Sequence, residues 1–327
     1  MNRSLQTSAS HPERRSRFLR PESKELRLFF ALFAIAILFA PPAFAQDTNF
    51  KVDVRLVSVF VNVTDANGAI VGGLKKEDFA VSEDGRKQEI AVFERQSELP
   101  LNLVLAIDTS GSVHKDMSDE VAAAKRFVRA ILRPQDKMSV IQFATTVQVM
   151  AGFTNSVSTI DRSLDHLRPD WASAVYDAIS EGSKSLGGKD GRKVLVIVSD
   201  GDDTAKDLTY DDALEAALRN EVMIYSLIDV PIESSAGRDL GGEHALITLS
   251  EQTGAKHFYV GEGGLDKAFA QVSDDLRTQY LIGYYPKNQL PGRDFHRIAV
   301  TVPRAATDVY KVRSKVGYYA DAQGGSN

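Results

Sequence analysis

The feature that most constrains this chain is an alternation, between Pro100 and Gly261, of short apolar runs with helix-period segments. LNLVLAID, KMSVIQFA, VQVMAGF, RKVLVIVSD, VMIYSLID and KHFYV read as strands. Between them MSDEVAAAKRFVRAIL, STIDRSLDHL, SAVYDAISEGSKSL, TYDDALEAALRNE and HALITLSEQTG carry apolar residues at helical spacing. A run such as VLVIV has no polar alternation, as expected of a parallel strand covered on both faces. The alternation therefore predicts an α/β fold, a doubly wound and mostly parallel sheet with helices on either side.

The flanks have a different period. VDVRLVSVFVNVTD alternates and closes on Asp65-Ala66-Asn67-Gly68, while FAVSEDG and RKQEIAVFE read as two strands around a Glu83-Asp84-Gly85 turn. After a helix, LDKAFAQVSDDLRTQ, the segments QYLIGYYP, FHRIAVTVP and YKVRSKVGYYA are again β. Strands at both ends predict one accessory β layer built from the two termini. The tyrosines at 284, 285, 318 and 319 are expected as cross-strand pairs within it. Five stretches result: a leader over 1–45, an N-terminal β segment over 46–98, the α/β domain over 99–262, a C-terminal helix and β segment over 263–320 that packs with the N-terminal one, and a disordered tail over 321–327.

The leader has a basic region, an apolar core from Leu28 to Ala40, then Pro41-Pro42 and the small-residue end Ala43-Phe44-Ala45. It is read as a secretory signal peptide cleaved after Ala45, because a spanning helix wants about 20 apolar residues. The expectation is an exported protein, periplasmic or extracellular, that touches a membrane only through an uncleaved leader. Without the leader the charged residues are 32 basic against 41 acidic, where the whole chain has 39 against 44. That balance argues against a nucleic-acid partner. The chain has no cysteine, which removes disulfide scaffolds, thiol catalysis and cysteine-held metals.

In a doubly wound sheet, function gathers beyond the carboxyl ends of the strands. One strand ends in Asp108-Thr109-Ser110-Gly111-Ser112, and another in Ser199-Asp200-Gly201-Asp202-Asp203-Thr204. Pro169-Asp170-Trp171-Ala172-Ser173 lies between them. Carboxylates and hydroxyls alone make an all-oxygen pocket suited to a hard divalent cation, Mg²⁺ or Mn²⁺. Asp202, Asp203 and Asp207 are read as solvated loop charges, Asp211 and Asp212 as a helix start. His114 is read as a surface turn residue. For Trp171, contact with a partner and packing under the loop remain equal alternatives.

On these motifs the chain resembles the von Willebrand factor A-like domain, and the pocket resembles its metal-ion-dependent adhesion site. The flanking VTDANG, EDFAVSEDG, LIGYYP and VGYYA resemble a bacterial subfamily that attaches such segments to the domain. The resemblance implies that Ser110, Ser112 and Ser173 ligate the metal directly and that Asp108 and Asp200 hold its waters. Ser173 stands where the family usually has threonine, keeping the oxygen but losing the methyl that restricts its rotamer. The implied work is binding without catalysis, the metal's last position being taken by an Asp or Glu of a partner protein. Two alternatives use the same residues differently. In a haloacid-dehalogenase-like phosphotransferase, Asp108 would be the nucleophile, Asp200 and Asp203 would hold Mg²⁺, and Lys193 would be a poorly placed phosphate lysine. In a structural envelope protein the metal motif would be vestigial.

Overall fold

The computed structural model describes residues 56–95, 98–111, 117–205, 207–230, 239–261, 264–287, 294–303 and 310–320. The leader, Ser112, His114 and the tail from 321 lie outside the described residues.

Strand β1 (Val57–Thr64) shows why an alternating sequence becomes a half-buried strand: Val57, Val59, Val61 and Val63 all point into the core. Its end is turned by Asp65, whose side chain accepts the N–H groups of Asn67 and Ala69 at 2.9 and 2.8 Å. Strands β2 (Ala80–Glu83) and β3 (Arg86–Gln88) form a hairpin with Val81 opposite Gln88. Asp84 and Gly85 both take positive φ, 49° and 78°, which a primed two-residue turn requires. Strand β4 (Ile90–Arg95) follows after a single residue but pairs elsewhere.

The α/β half begins with β5 (Leu101–Asp108), all eight residues of which are buried. Helix α1 (Met117–Ile131), β6 (Lys137–Phe143), β7 (Val147–Thr154), α2 (Val157–Leu164) and α3 (Val175–Leu186) come next. Then follow β8 (Arg192–Ser199), α4 (Tyr210–Arg219), β9 (Met223–Ile228), α5 (Leu240–Gln252) and β10 (His257–Tyr259). Helix α6 (Gly264–Arg277) completes the helices among the described residues. The sheet order is β10-β9-β8-β5-β6-β7, parallel except where β7 runs antiparallel to β6. Helices α1, α2 and α6 bury their apolar sides on one face and α3, α4 and α5 on the other. This is the doubly wound sheet expected of the alternation. Helix α6, grouped above with the C-terminal β segment, lies on the sheet against α1, with the Phe127 and Phe269 rings stacked 4.5 Å apart.

The chain closes with β11 (Tyr280–Tyr284), β12 (Phe295–Thr301), β13 (Lys311–Arg313) and β14 (Gly317–Tyr319). Here the expectation of one β layer is corrected. The flanks make two four-stranded antiparallel sheets, β13-β1-β11-β4 and β14-β12-β2-β3, that share one core. RKQEIAVFE and YKVRSKVGYYA each divide between the two sheets. Strands that turn the corner of a sandwich in this way keep their inward alternation while changing partners. The tyrosines are not paired with one another either: Tyr284 faces Val57 and Ile90 in one sheet, Tyr318 faces His296 in the other, and Tyr285 is exposed. Among the described residues no helix is long and apolar enough to cross a membrane.

Candidate functional site

Strand β5 has β6 on one side and β8 on the other, so the connections leaving it and β8 go to opposite faces and open a cleft at their carboxyl ends. Asp108, the last residue of β5, sits at its floor with no exposed surface. Its Oδ1 accepts the backbone N–H of Ser110 at 2.9 Å. Its Oδ2 accepts two hydroxyls, from Ser173 at 2.9 Å and from Ser199 at 2.7 Å. Burial pushes the Asp108 carboxyl up to about 6, and the hydrogen bonds from Ser110, Ser199 and Ser173 pull against that rise. The charge is thus held by dipoles in a dry place, which is where a cation would lower its energy most.

Three loops are locked around this carboxylate. The first is tied to its neighbours by Thr109, whose N–H donates to the Phe143 carbonyl at 2.9 Å and whose own carbonyl accepts Asp170 N–H at 2.9 Å. Gln142 fastens the second, donating to the Arg168 carbonyl at 2.9 Å and accepting Arg168 N–H at 2.8 Å. The second and third are stitched together at Ser173: its N–H donates to Thr204 Oγ1 at 2.8 Å, and its carbonyl accepts the N–H groups of Thr204 and Ala205. The third loop is seated by close glycine packing. Gly201, at φ +91°, lies so near Gly242 of α5 that a Cβ on Gly242 would stand 1.9 Å from the Gly201 carbonyl oxygen.

Asp108, Ser110 and Ser173 are therefore brought together, all three buried. Asp200, which follows Ser199 in the chain, is half-buried, its Oδ1 accepting Asp202 N–H at 3.1 Å. Ser112 lies outside the described residues. Sequence reasoning missed Ser199, whose hydroxyl both donates to Asp108 and accepts Gly201 N–H at 3.0 Å, and Thr204, which orients Ser173. A hydroxyl directly before Asp200, on the strand next to β5, was the available signal for Ser199.

Asp203 is not a free rim charge: its Oδ1 accepts Val175 N–H at 2.8 Å and Tyr176 N–H at 3.4 Å, capping the first turn of α3. Lys193 lies at the far end of β8, its amine 3.8 Å from the Glu221 carboxylate. Both positions weigh against the phosphotransferase assignment. Trp171 is 92% exposed, which decides its two alternatives in favour of the surface. The donor set of Asp108, Ser110 and Ser173 is oxygen throughout and fits a hard divalent cation.

The family profile of the von Willebrand factor type A domain matches residues 103–202, and the chain carries a domain of that kind. No curated protein matches the sequence significantly. Similar solved structures include the conserved hypothetical protein BatB from Bacteroides thetaiotaomicron, 16% identical over 54% of this chain and 97% of that one, TM-score 0.44. The vWF domain of the type V pili tip protein Mfa5 from Porphyromonas gingivalis is 11% identical over 54% and 94%, TM-score 0.43. Proximal thread matrix protein 1 from the mussel byssus, with a zinc-occupied MIDAS motif, is 14% identical over 59% and 49%, TM-score 0.48.

Proposed function

Taking a von Willebrand factor type A-like domain as the premise, we propose that this chain is an exported binding module. It recognises a protein partner through a divalent cation, Mg²⁺ or Mn²⁺, held at the carboxyl ends of β5 and β8. A cation there supplies an electrophilic centre that a partner's Asp or Glu carboxylate completes. The hydroxyls of Ser110, Ser112 and Ser173 offer neutral donors, and Asp108 and Asp200 orient the site's waters. Neutral direct donors leave the positive charge incompletely compensated, so an anion is favoured in the open position.

The observation that carries this reading is the buried Asp108 carboxylate with Ser173 and Ser199 both donating to one of its oxygens. A nucleophilic aspartate would need an accessible oxygen, and Asp108 has no exposed surface. The cap that Asp203 forms on α3 also supports a binding site over a phosphoryl-transfer site. Export rests on the leader sequence alone.

The test uses Mn²⁺ as a paramagnetic probe. Protein-bound Mn²⁺ enhances water-proton relaxation, and acetate or an Asp-containing peptide added to the complex should displace bound water and lower that enhancement. A cation that binds but keeps its water at saturating carboxylate would overturn carboxylate completion.

A further inference from the structure

The flanking segments EDFAVSEDG, LIGYYP, FHRIAVTVP and VGYYA have no role in the site above, yet the fold brings one side chain or more from each to a single buried point. Glu83 ends β2 with 3% of its surface exposed. Its Oε2 accepts the phenol hydroxyls of Tyr284 at 2.7 Å and Tyr318 at 3.1 Å. Asp84, the next residue, has its Oδ1 held by Arg297 N–H at 3.1 Å. The second oxygen of each carboxylate turns to the same imidazole nitrogen: His296 Nδ1 lies 2.8 Å from Asp84 Oδ2 and 3.7 Å from Glu83 Oε1. His296 is 2% exposed, and one ligand atom from each of the three residues falls within 4.8 Å of the others.

From this convergence we infer that Glu83, Asp84 and His296 form a second divalent-cation site, for zinc, in the β-sandwich and separate from the Asp108 pocket. Zinc bonds to nitrogen and carboxylate oxygen are about 2.0–2.2 Å, which places tetrahedral ligands roughly 3.4 Å apart. The observed 2.8 and 3.7 Å bracket that edge, and the remaining separation lies within 4.8 Å, so the three atoms close on an ion by side-chain adjustment. A nitrogen with two carboxylate oxygens suits zinc, and the nitrogen would be foreign to a Mg²⁺ site. The tyrosine hydroxyls and Arg297 N–H act as the outer shell, each fixing the oxygen that does not face the metal. Gly85, directly after Asp84, is exposed, so a water entering at this turn would take the fourth position. On binding, Nδ1 must offer its lone pair, so the ring proton sits on Nε2 and any proton on Nδ1 leaves to solvent. All three ligands come from one sheet, and the other sheet reaches them through the Tyr284 hydroxyl on Glu83.

The experiment uses the full chain carrying Asp108→Asn and Ser173→Ala, which disables the first pocket. Zinc is added in excess, removed by gel filtration, and the retained metal is counted; Co²⁺ is then substituted and its visible absorption recorded. One retained zinc is expected, with the intense Co²⁺ bands of a four-coordinate nitrogen-containing site. Glu83→Gln or His296→Gln added to this background should abolish retention. No retained zinc, or retention unchanged in Glu83→Gln, would overturn the site and leave an imidazole hydrogen-bonded to Asp84 with the Glu83 carboxylate nearby. Should His296→Gln fail to fold, the Co²⁺ spectrum of the parent background decides, a weak six-coordinate spectrum or none counting against the proposal.

Discussion

Replacing Asp108 by asparagine should make the metal-free protein more stable near neutral pH. The carboxyl is ionised at pH 7 in the unfolded chain with an ordinary value of 3.8, whereas burial in the fold raises it to about 6. Keeping it ionised in the folded state at pH 7 therefore costs about 3 kcal/mol. The sign follows from proton uptake: between pH 7 and 4 the folded state binds the proton before the unfolded one, so wild-type stability rises as pH falls. An uncharged amide of the same shape avoids the penalty. Its nitrogen meets Ser173 and Ser199 hydroxyls that can rotate to accept, so part of the hydrogen bonding is kept. The expected gain in chelator at pH 7 is about 1–3 kcal/mol, falling to about half at pH 5 and vanishing below 3.8. Urea unfolding of both proteins across pH 4–7.5, with EDTA present, measures it. Saturating Mg²⁺ should then reverse the order, because only the wild type gains from binding that favours the folded state. An asparagine variant less stable than wild type at pH 7 in chelator, or a difference that does not move with pH, would refute the reasoning.

Gly242→Ala should weaken Mg²⁺ binding at least tenfold, since the new Cβ collides with the Gly201 backbone and displaces the Asp200 loop; Gly152→Ala, with nothing near its Cβ, should leave calorimetric affinity unchanged. Asp136→Asn should cost about 2 kcal/mol at pH 7 in urea unfolding. Burial raises the Asp136 carboxyl, but hydrogen bonds from the Arg133 guanidinium and the N–H groups of Leu101 and Arg133 outweigh it and hold the group below its ordinary value. Its contribution is therefore present above the ordinary carboxylate range and lost as pH falls through the lowered value, so the cost should fade in acid. Trp171→Ala should leave both melting temperature and Mg²⁺ affinity as they are, its ring being 92% exposed, while reducing retention of any captured partner; a drop in melting temperature would show that the ring packs after all.

How much of this was legible in the sequence varies with the physics of each element. Strand β5 was plain because burial on both faces demands an uninterrupted apolar run, and the motif after it gained meaning only beside the Ser173 and Asp200 loops at matching strand ends. The division of Arg86–Arg95 between two sheets was hidden. Gln88 and Ile90 both point inward, so alternation passes through Glu89 undisturbed while the hydrogen-bonding partner changes. Tyr284 and Tyr318 read as sheet aromatics because their ring positions carry no trace of Glu83, some 200 residues earlier, which both hydroxyls address. Ser199 was missed for a similar reason: its role depends on the neighbouring strand's Asp108, a pairing set by sheet order.

The most direct test of the central claim is a calorimetric titration of Mg²⁺ and Mn²⁺ into wild type and Ser173→Ala. The account predicts one ion per wild-type chain at the Asp108 pocket and an affinity at least tenfold weaker when the Ser173 hydroxyl is removed. Equal binding by the two proteins, or no binding by either, would contradict it.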